Sequence, residues 1–186
     1  VNALSNVPQL KQRCETMVFK LTAKELDENI TKSTDIVSKA CAEIKNSETL
    51  KRILKLILQV GNQLNKGTRA AGAAGLKVSS LMKVTQTKTN NGQTLLEYVI
   101  RRIMDLEYDM LDLKDELGSL SKAKRENLLT IKQELGKVRK GVTMSKSGLK
   151  LANDAGDGSF EEAFGDFISE GEAMQNKLIA AYDGME

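Results

Sequence analysis

Apolar residues recur at intervals of three and four along nearly the whole chain, and no other feature restricts the fold as tightly. At 3.6 residues per turn this spacing collects apolar side chains on one side of a helix, whereas a half-buried strand needs strict alternation. The stretch "VPQLKQRCETMVFKL" predicts one inward helix face from Val7, Leu10, Cys14, Met17, Val18 and Leu21. "STDIVSKACAEIKN" predicts a second helix, N-capped by Ser33 or Thr34, with Ile36, Val37, Ala40, Cys41 and Ile44 inward. "NSETLKRILKLILQVGNQLN" predicts a third, capped by Asn46 or Ser47. Its main stripe, Leu50, Ile53, Leu54, Ile57, Val60 and Leu64, is widened by Leu56 and Leu58, so this helix is expected near the centre of a helical pack.

A glycine-rich loop then breaks the pattern, which resumes briefly at "VSSLMKV". A further helix is expected from about Gln93 to Leu113, with Leu95, Leu96, Val99, Ile100, Ile103, Leu106 and Met110 inward. After Gly118 a long helix is expected to carry a heptad seam of Leu128, Ile131, Leu135, Val138 and Val142. "GLKLANDAGDG", Gly148 to Gly158, reads as a loop, and a last helix repeats the seam at Phe160, Phe164, Phe167, Gly171, Met174 and Leu178. The expected fold is all-α: an elongated helical bundle with a projecting antiparallel, coiled-coil-like helical hairpin. Residues 1–186 make one module, globular to about residue 117, with the hairpin over about 118–186. A single proline and 4% aromatic residues agree with helices, and 40% apolar content argues against disorder.

Several chemistries are excluded by what is missing. The chain has no histidine and two cysteines, Cys14 and Cys41. That removes histidine-based acid/base work and nearly all common zinc sites, and the carboxylates show no catalytic pairing. No enzyme, metal or cofactor is expected. With no apolar signal segment and no run of about 20 apolar residues, the chain is expected to be soluble and intracellular, its cysteines free thiols. Because it begins at Val1, it is expected to be part of a longer protein.

The net charge of +3 is unevenly distributed. Between Thr49 and Leu96 there is no acid, while Lys51, Arg52, Lys55, Lys66, Arg69, Lys77, Lys83 and Lys88 contribute +8, leaving −5 for the remainder. A concentrated positive field steers association with an anionic surface. Within this segment Gly61 to Thr89 carries four glycines and five basic residues without an aromatic. A phosphate cradle would need Gly-Lys-Ser/Thr between a strand and a helix, which does not occur. A single-stranded nucleic-acid surface would interleave aromatics for stacking. Contact with duplex phosphates or an anionic membrane stays open, but an acidic protein surface fits best.

The order of "GNQLN", a basic Gly/Ala loop, "GLKVSSLMKV", "TQTKT" and "TLLEYV" closely resembles the signature of the formin-homology-2 domain. The matching residues are Gly61, Asn62, Asn65, Gly75, Lys77, Ser80, Leu81, Thr87, Lys88, Thr94, Leu95 and Leu96. Leu64 stands where the family has Met, Leu76 where it has Phe, and Gln86 where Asp is usual. The resemblance covers most of the chain and implies the post and coiled-coil portion of the domain, without the N-terminal lasso, the linker and most of the knob. It implies helical head-to-tail dimers that nucleate actin filaments and stay on the growing barbed end, in the cytoplasm and cytoskeleton. Gly61, Asn62, Leu64 and Asn65 would receive the lasso of a second formin subunit. Lys88, with Lys77 and Lys83 behind it, would contact actin, and neither nucleic acid nor membrane is expected as a partner. The competing reading is a helical adaptor or tethering scaffold whose basic loop binds an anionic membrane or an acidic protein.

Overall fold

The computed structural model describes residues 7–69, 71–88, 92–106 and 113–185. In chain order the helices are α1 (Leu10–Asn46), α2 (Glu48–Leu64), a 3₁₀ turn (Val78–Ser80), α3 (Leu81–Gln86), α4 (Leu95–Leu106), α5 (Leu113–Glu116), α6 (Leu120–Ala123), α7 (Leu128–Asp154) and α8 (Ser159–Asp183). Among the described residues, regular structure is all helical apart from an isolated antiparallel bridge between Lys88 and Thr94, so the all-α expectation holds. Among them, no helix is long and apolar enough to cross a membrane. The chain forms two compact units: residues up to Cys41 together with Ser119 onward, and Ala42–Gly118.

In the first unit α7 and α8 form an antiparallel hairpin. Asn127 caps α7, its Oδ1 accepting from the N–H groups of Leu129 (2.9 Å) and Thr130 (3.4 Å). Ile131, Leu135, Val138 and Val142 of α7 are buried, as are Phe160, Phe164, Ile168 and Leu178 of α8. Residues up to Cys41, which the sequence reading assigned to the globular region, pack with these helices because Phe19, Ala23 and Ile30 complete the same core. Phe19 meets Phe167 edge-on at 5.4 Å and lies directly over Gly141. A Cβ on Gly141 would stand 2.3 Å from that ring, so only glycine lets the helices approach this closely. Near the hairpin turn, Arg13 pairs with Asp157 at 2.7 Å and donates to Ser159 Oγ at 2.7 Å. The Ser159 hydroxyl and then Arg13 hold the Asp157 carboxyl below its usual range.

The structure departs from the sequence pattern at several points. Neither Ser33 nor Thr34 caps a helix, because α1 runs through both. Thr34 is buried mid-helix, where its hydroxyl donates to the carbonyls of Ile30 (2.8 Å) and Thr31 (2.9 Å). Met17, Val18 and Leu21, expected inward, are 51%, 61% and 76% exposed, and Val7, Cys14, Cys41 and Ile44 are exposed too. The buried face is nearly opposite, through Thr16, Phe19, Ala23, Ile30 and Thr34. It keeps the three-and-four spacing, but its threonines and alanine hide it from a search for large apolar residues. Helix α7 begins at Leu128, which is exposed, rather than after Gly118. It continues past Gly148 to Asp154, because Ala152 is buried against Phe160 and Phe164, and the expected loop shrinks to residues 155–158.

Among the described residues, the second unit has a thinner core. Val99 and Ile103 of α4 pack against Ile53, Leu56 and Ile57 of α2, and Val84 and Leu95 are also buried. Ser47 caps α2, accepting from the Leu50 N–H at 2.9 Å. The expectation that α2 is central is overturned: none of its residues is buried. One face packs on α4, and the other, through Leu50, Leu54 and Leu58, stays half-exposed. Helix α4 starts at Leu95 rather than near Gln93, and Leu96 and Ile100, expected inward, are exposed. Leu113, where this helix was expected to end, opens α5, while residues 107–112, including the inward Met110, and the Leu106 side chain lie outside the described residues.

Candidate partner-binding site

All seven residues singled out by the sequence lie in Ala42–Gly118. Gly61, Asn62 and Leu64 form the last turn of α2, and Asn65 is its C-cap, donating its backbone N–H to Gly61 O at 3.0 Å. The Asn62 amide donates from Nδ2 to Ala73 O (2.9 Å) and accepts the Ala73 N–H at Oδ1 (2.8 Å). This two-way bond fastens the Gly/Ala loop to the helix end. Gly72 beside it has φ +75°, a left-handed conformation that a side chain would oppose. Asn65 works through its carbonyl, which accepts from both the N–H (2.9 Å) and the hydroxyl (2.8 Å) of Thr68. A Cβ on Gly61 would meet nothing within 4 Å, and Leu64 is 58% exposed. The chain's own packing therefore explains Asn62 but not the side chain at Asn65, the glycine at 61 or the outward leucine at 64.

Lys77 precedes the 3₁₀ turn, its carbonyl accepting from the Ser80 N–H at 2.8 Å. Helix α3 follows and ends as the Thr87 N–H donates to Lys83 O at 2.8 Å. Thr87 O in turn accepts from the Leu95 N–H at 2.8 Å, and Lys88 bridges Thr94. The backbone of Lys88 is thus tied to the start of α4. Lys77, Lys83 and Lys88 are all exposed, and none makes an ion pair among the described residues. The three share a unit: Lys77 and Lys83 flank the short helical segment, and Lys88 stands past its exit.

Two features escaped the sequence reading. Thr94 and Glu97 form a capping box: the Glu97 carboxylate accepts from the Thr94 N–H (2.7 Å), and the Thr94 hydroxyl accepts from the Glu97 N–H (3.2 Å). Its signal, Thr-x-x-Glu before an apolar run, was legible. The second is Glu116, which accepts from the hydroxyls of Ser47 (2.5 Å) and Thr49. These bonds hold its carboxyl below the usual range, Ser47 contributing most. No local pattern announces this pair, since the partners lie 69 and 67 residues away. Among the described residues no cluster of acids and cysteines could hold a metal ion.

Comparison with known proteins adds ancestry to this geometry. The Formin Homology 2 Domain family matches residues 1–186. Formin-like protein 13 of Arabidopsis thaliana is 30% identical over 98% of the chain, which spans 15% of that relative. Formin-like protein 20 of Arabidopsis thaliana is 32% identical over 96% of the chain, which spans 11% of that relative. Protein diaphanous homolog 2 of Mus musculus is 34% identical over 79% of the chain, which spans 14% of that relative.

Proposed function

The chain belongs to the formin homology 2 domain family, and from that membership we propose that it is an actin-binding portion of a formin. In the complete dimeric domain it helps nucleate actin filaments and hold their growing barbed ends, in the cytoplasm and without catalysing a reaction. One observation carries the reading: a segment free of acids from Thr49 to Leu96 presents exposed Lys77, Lys83 and Lys88 on a backbone fastened at Ala73 and at Thr87. An acidic filament surface is the complement of such a field. The end of α2, with Gly61, Asn62, Leu64 and Asn65, is the proposed seat for the lasso of a second subunit. Open space over Gly61 and the outward Leu64 support that placement.

Co-sedimentation of the full chain with actin filaments, run beside flotation with vesicles rich in phosphatidylserine, tests the reading. Actin binding that weakens as salt rises is expected, with little vesicle binding. Vesicle binding without actin binding would replace it with the tethering scaffold.

A further inference from the structure

Between Leu76 and Gln86 the chain turns its apolar residues two ways. Leu76 and Leu81 are half-buried and Val84 is buried, whereas Val78 is 78% and Met82 64% exposed. Val78 opens the 3₁₀ turn and Met82 lies four residues on in the contiguous α3, so both stand exposed on one short segment, about one helical turn apart. Lys77 immediately precedes Val78, and Lys83 immediately follows Met82. Single exposed apolar residues are ordinary on protein surfaces. Two exposed apolar residues bracketed in sequence by lysines, in a segment without one carboxylate, have a defined complement. The segment is also held at both ends, upstream by the Asn62 bonds to Ala73 and downstream by the Thr87 to Leu95 bond. Little ordering is then needed when a partner arrives.

Protein interfaces place apolar anchors centrally and charges at the rim, and the anchors carry most of the affinity. Methionine suits the role, because its flexible, polarizable side chain adapts to an irregular cleft. We infer that Val78 and Met82 are the anchors of the actin contact, entering an apolar cleft whose rim carboxylates face Lys77, Lys83 and Lys88. The inference rests on the actin reading proposed above. It divides the labour: the apolar pair sets how long the complex lasts, and the lysines set how fast it forms.

The test compares three variants of the full chain for binding to actin filaments over a salt series, by sedimentation and by association and dissociation kinetics. The double variant Val78→Ser/Met82→Ser is expected to bind at least about tenfold more weakly, through faster dissociation, with its salt dependence unchanged. Val78→Ile/Met82→Leu should bind like the wild type. Lys77→Ala/Lys83→Ala/Lys88→Ala should associate more slowly and lose salt dependence. If the serine variant misfolds by circular dichroism, Met82→Gln alone, similar in volume and equally exposed, puts the same question and should still dissociate faster. Wild-type affinity in the serine variant, with weakening in the lysine variant, overturns the anchor assignment and leaves the actin reading standing. Wild-type affinity in both sets removes actin from this segment altogether. A wild-type chain that binds no actin ends both.

Discussion

The two compact units spend their apolar side chains differently. In the first, Ile30, Val138, Phe160 and Leu178 are fully buried within a seam shared by α1, α7 and α8. In the second, the buried apolar core among the described residues is Val84, Leu95, Val99 and Ile103, and α2 buries no residue. Leu64, Val78, Met82, Leu96, Ile100 and Met104 of that unit stay exposed. Buried apolar area stabilises at roughly 25 cal/mol per Å², so a fold that leaves such residues in water forgoes stability it could have had. The first unit also exposes Met17, Val18, Leu21, Leu128, Leu129 and Leu151, so the two units differ in their buried cores rather than in exposed apolar residues. The difference teaches where to look for function: the unit with the thinner core also holds the acid-free basic segment and every residue matched to the family signature.

The sharpest way to break this comparison is Phe160→Ala. Its ring is fully buried, 5.1 Å from Phe164 and under the Arg13 guanidinium at 5.3 Å. Truncation should cost about 3–5 kcal/mol, read as a lowered urea midpoint. A loss below about 1 kcal/mol would mean that the core of the first unit is no tighter than that of the second.

Ser47→Ala probes the second unit with a smaller change, about 1 kcal/mol for the lost helix cap. It also removes the main hydrogen bond to Glu116, whose carboxyl is held below its usual range. A depressed folded-state pKa contributes stability that is fully present above the unfolded pKa and is lost as the pH falls through the folded one. Urea midpoints of the wild type should therefore fall on acidification through and below the ordinary carboxylate range. In Ser47→Ala, and in Glu116→Gln, that acid dependence should flatten. Identical pH profiles in all three proteins would detach Glu116 from the stability of the unit.

The smallest effect on folding is expected at Lys88. Its side chain is exposed, so Lys88→Ala should change stability by less than about 0.5 kcal/mol. In the complete domain it should nevertheless strongly slow actin assembly, and Lys88→Glu should slow it more, since a rim charge acts on association. Lys150→Ala, an exposed lysine of α7 in the other unit, is the matched control. Equal assembly by all four proteins at low and moderate salt would sink the assignment of Lys88.

Local chemistry was well represented in the sequence. The Ser47 cap, the helical segment at "VSSLMKV", the buried seam from Ile131 to Val142 and its counterpart from Phe160 to Leu178 were all legible, because caps and heptad spacing depend on residues within a few turns of each other. The fastening of the Gly/Ala loop through the Asn62 amide and Ala73 was not. The limits of α4 and α7 were misjudged, since Thr94, Glu97 and Asn127 set those starts and the sequence reading gave them no weight.

What the sequence alone determined is therefore the helical class, the acid-free basic segment and the family signature, each a property of residue order that packing cannot change. Which stripe of a helix turns inward was decided only by the tertiary structure. Helix α1 offers two faces, one with Met17, Val18 and Leu21 and one with Thr16, Phe19, Ala23 and Ile30, and hydrophobicity alone favours the first. The second is buried because Gly141 leaves a gap that the Phe19 ring fills, and because small residues let helices approach closely. Complementarity of that kind belongs to two surfaces at once, and 122 residues separate the two that make it here.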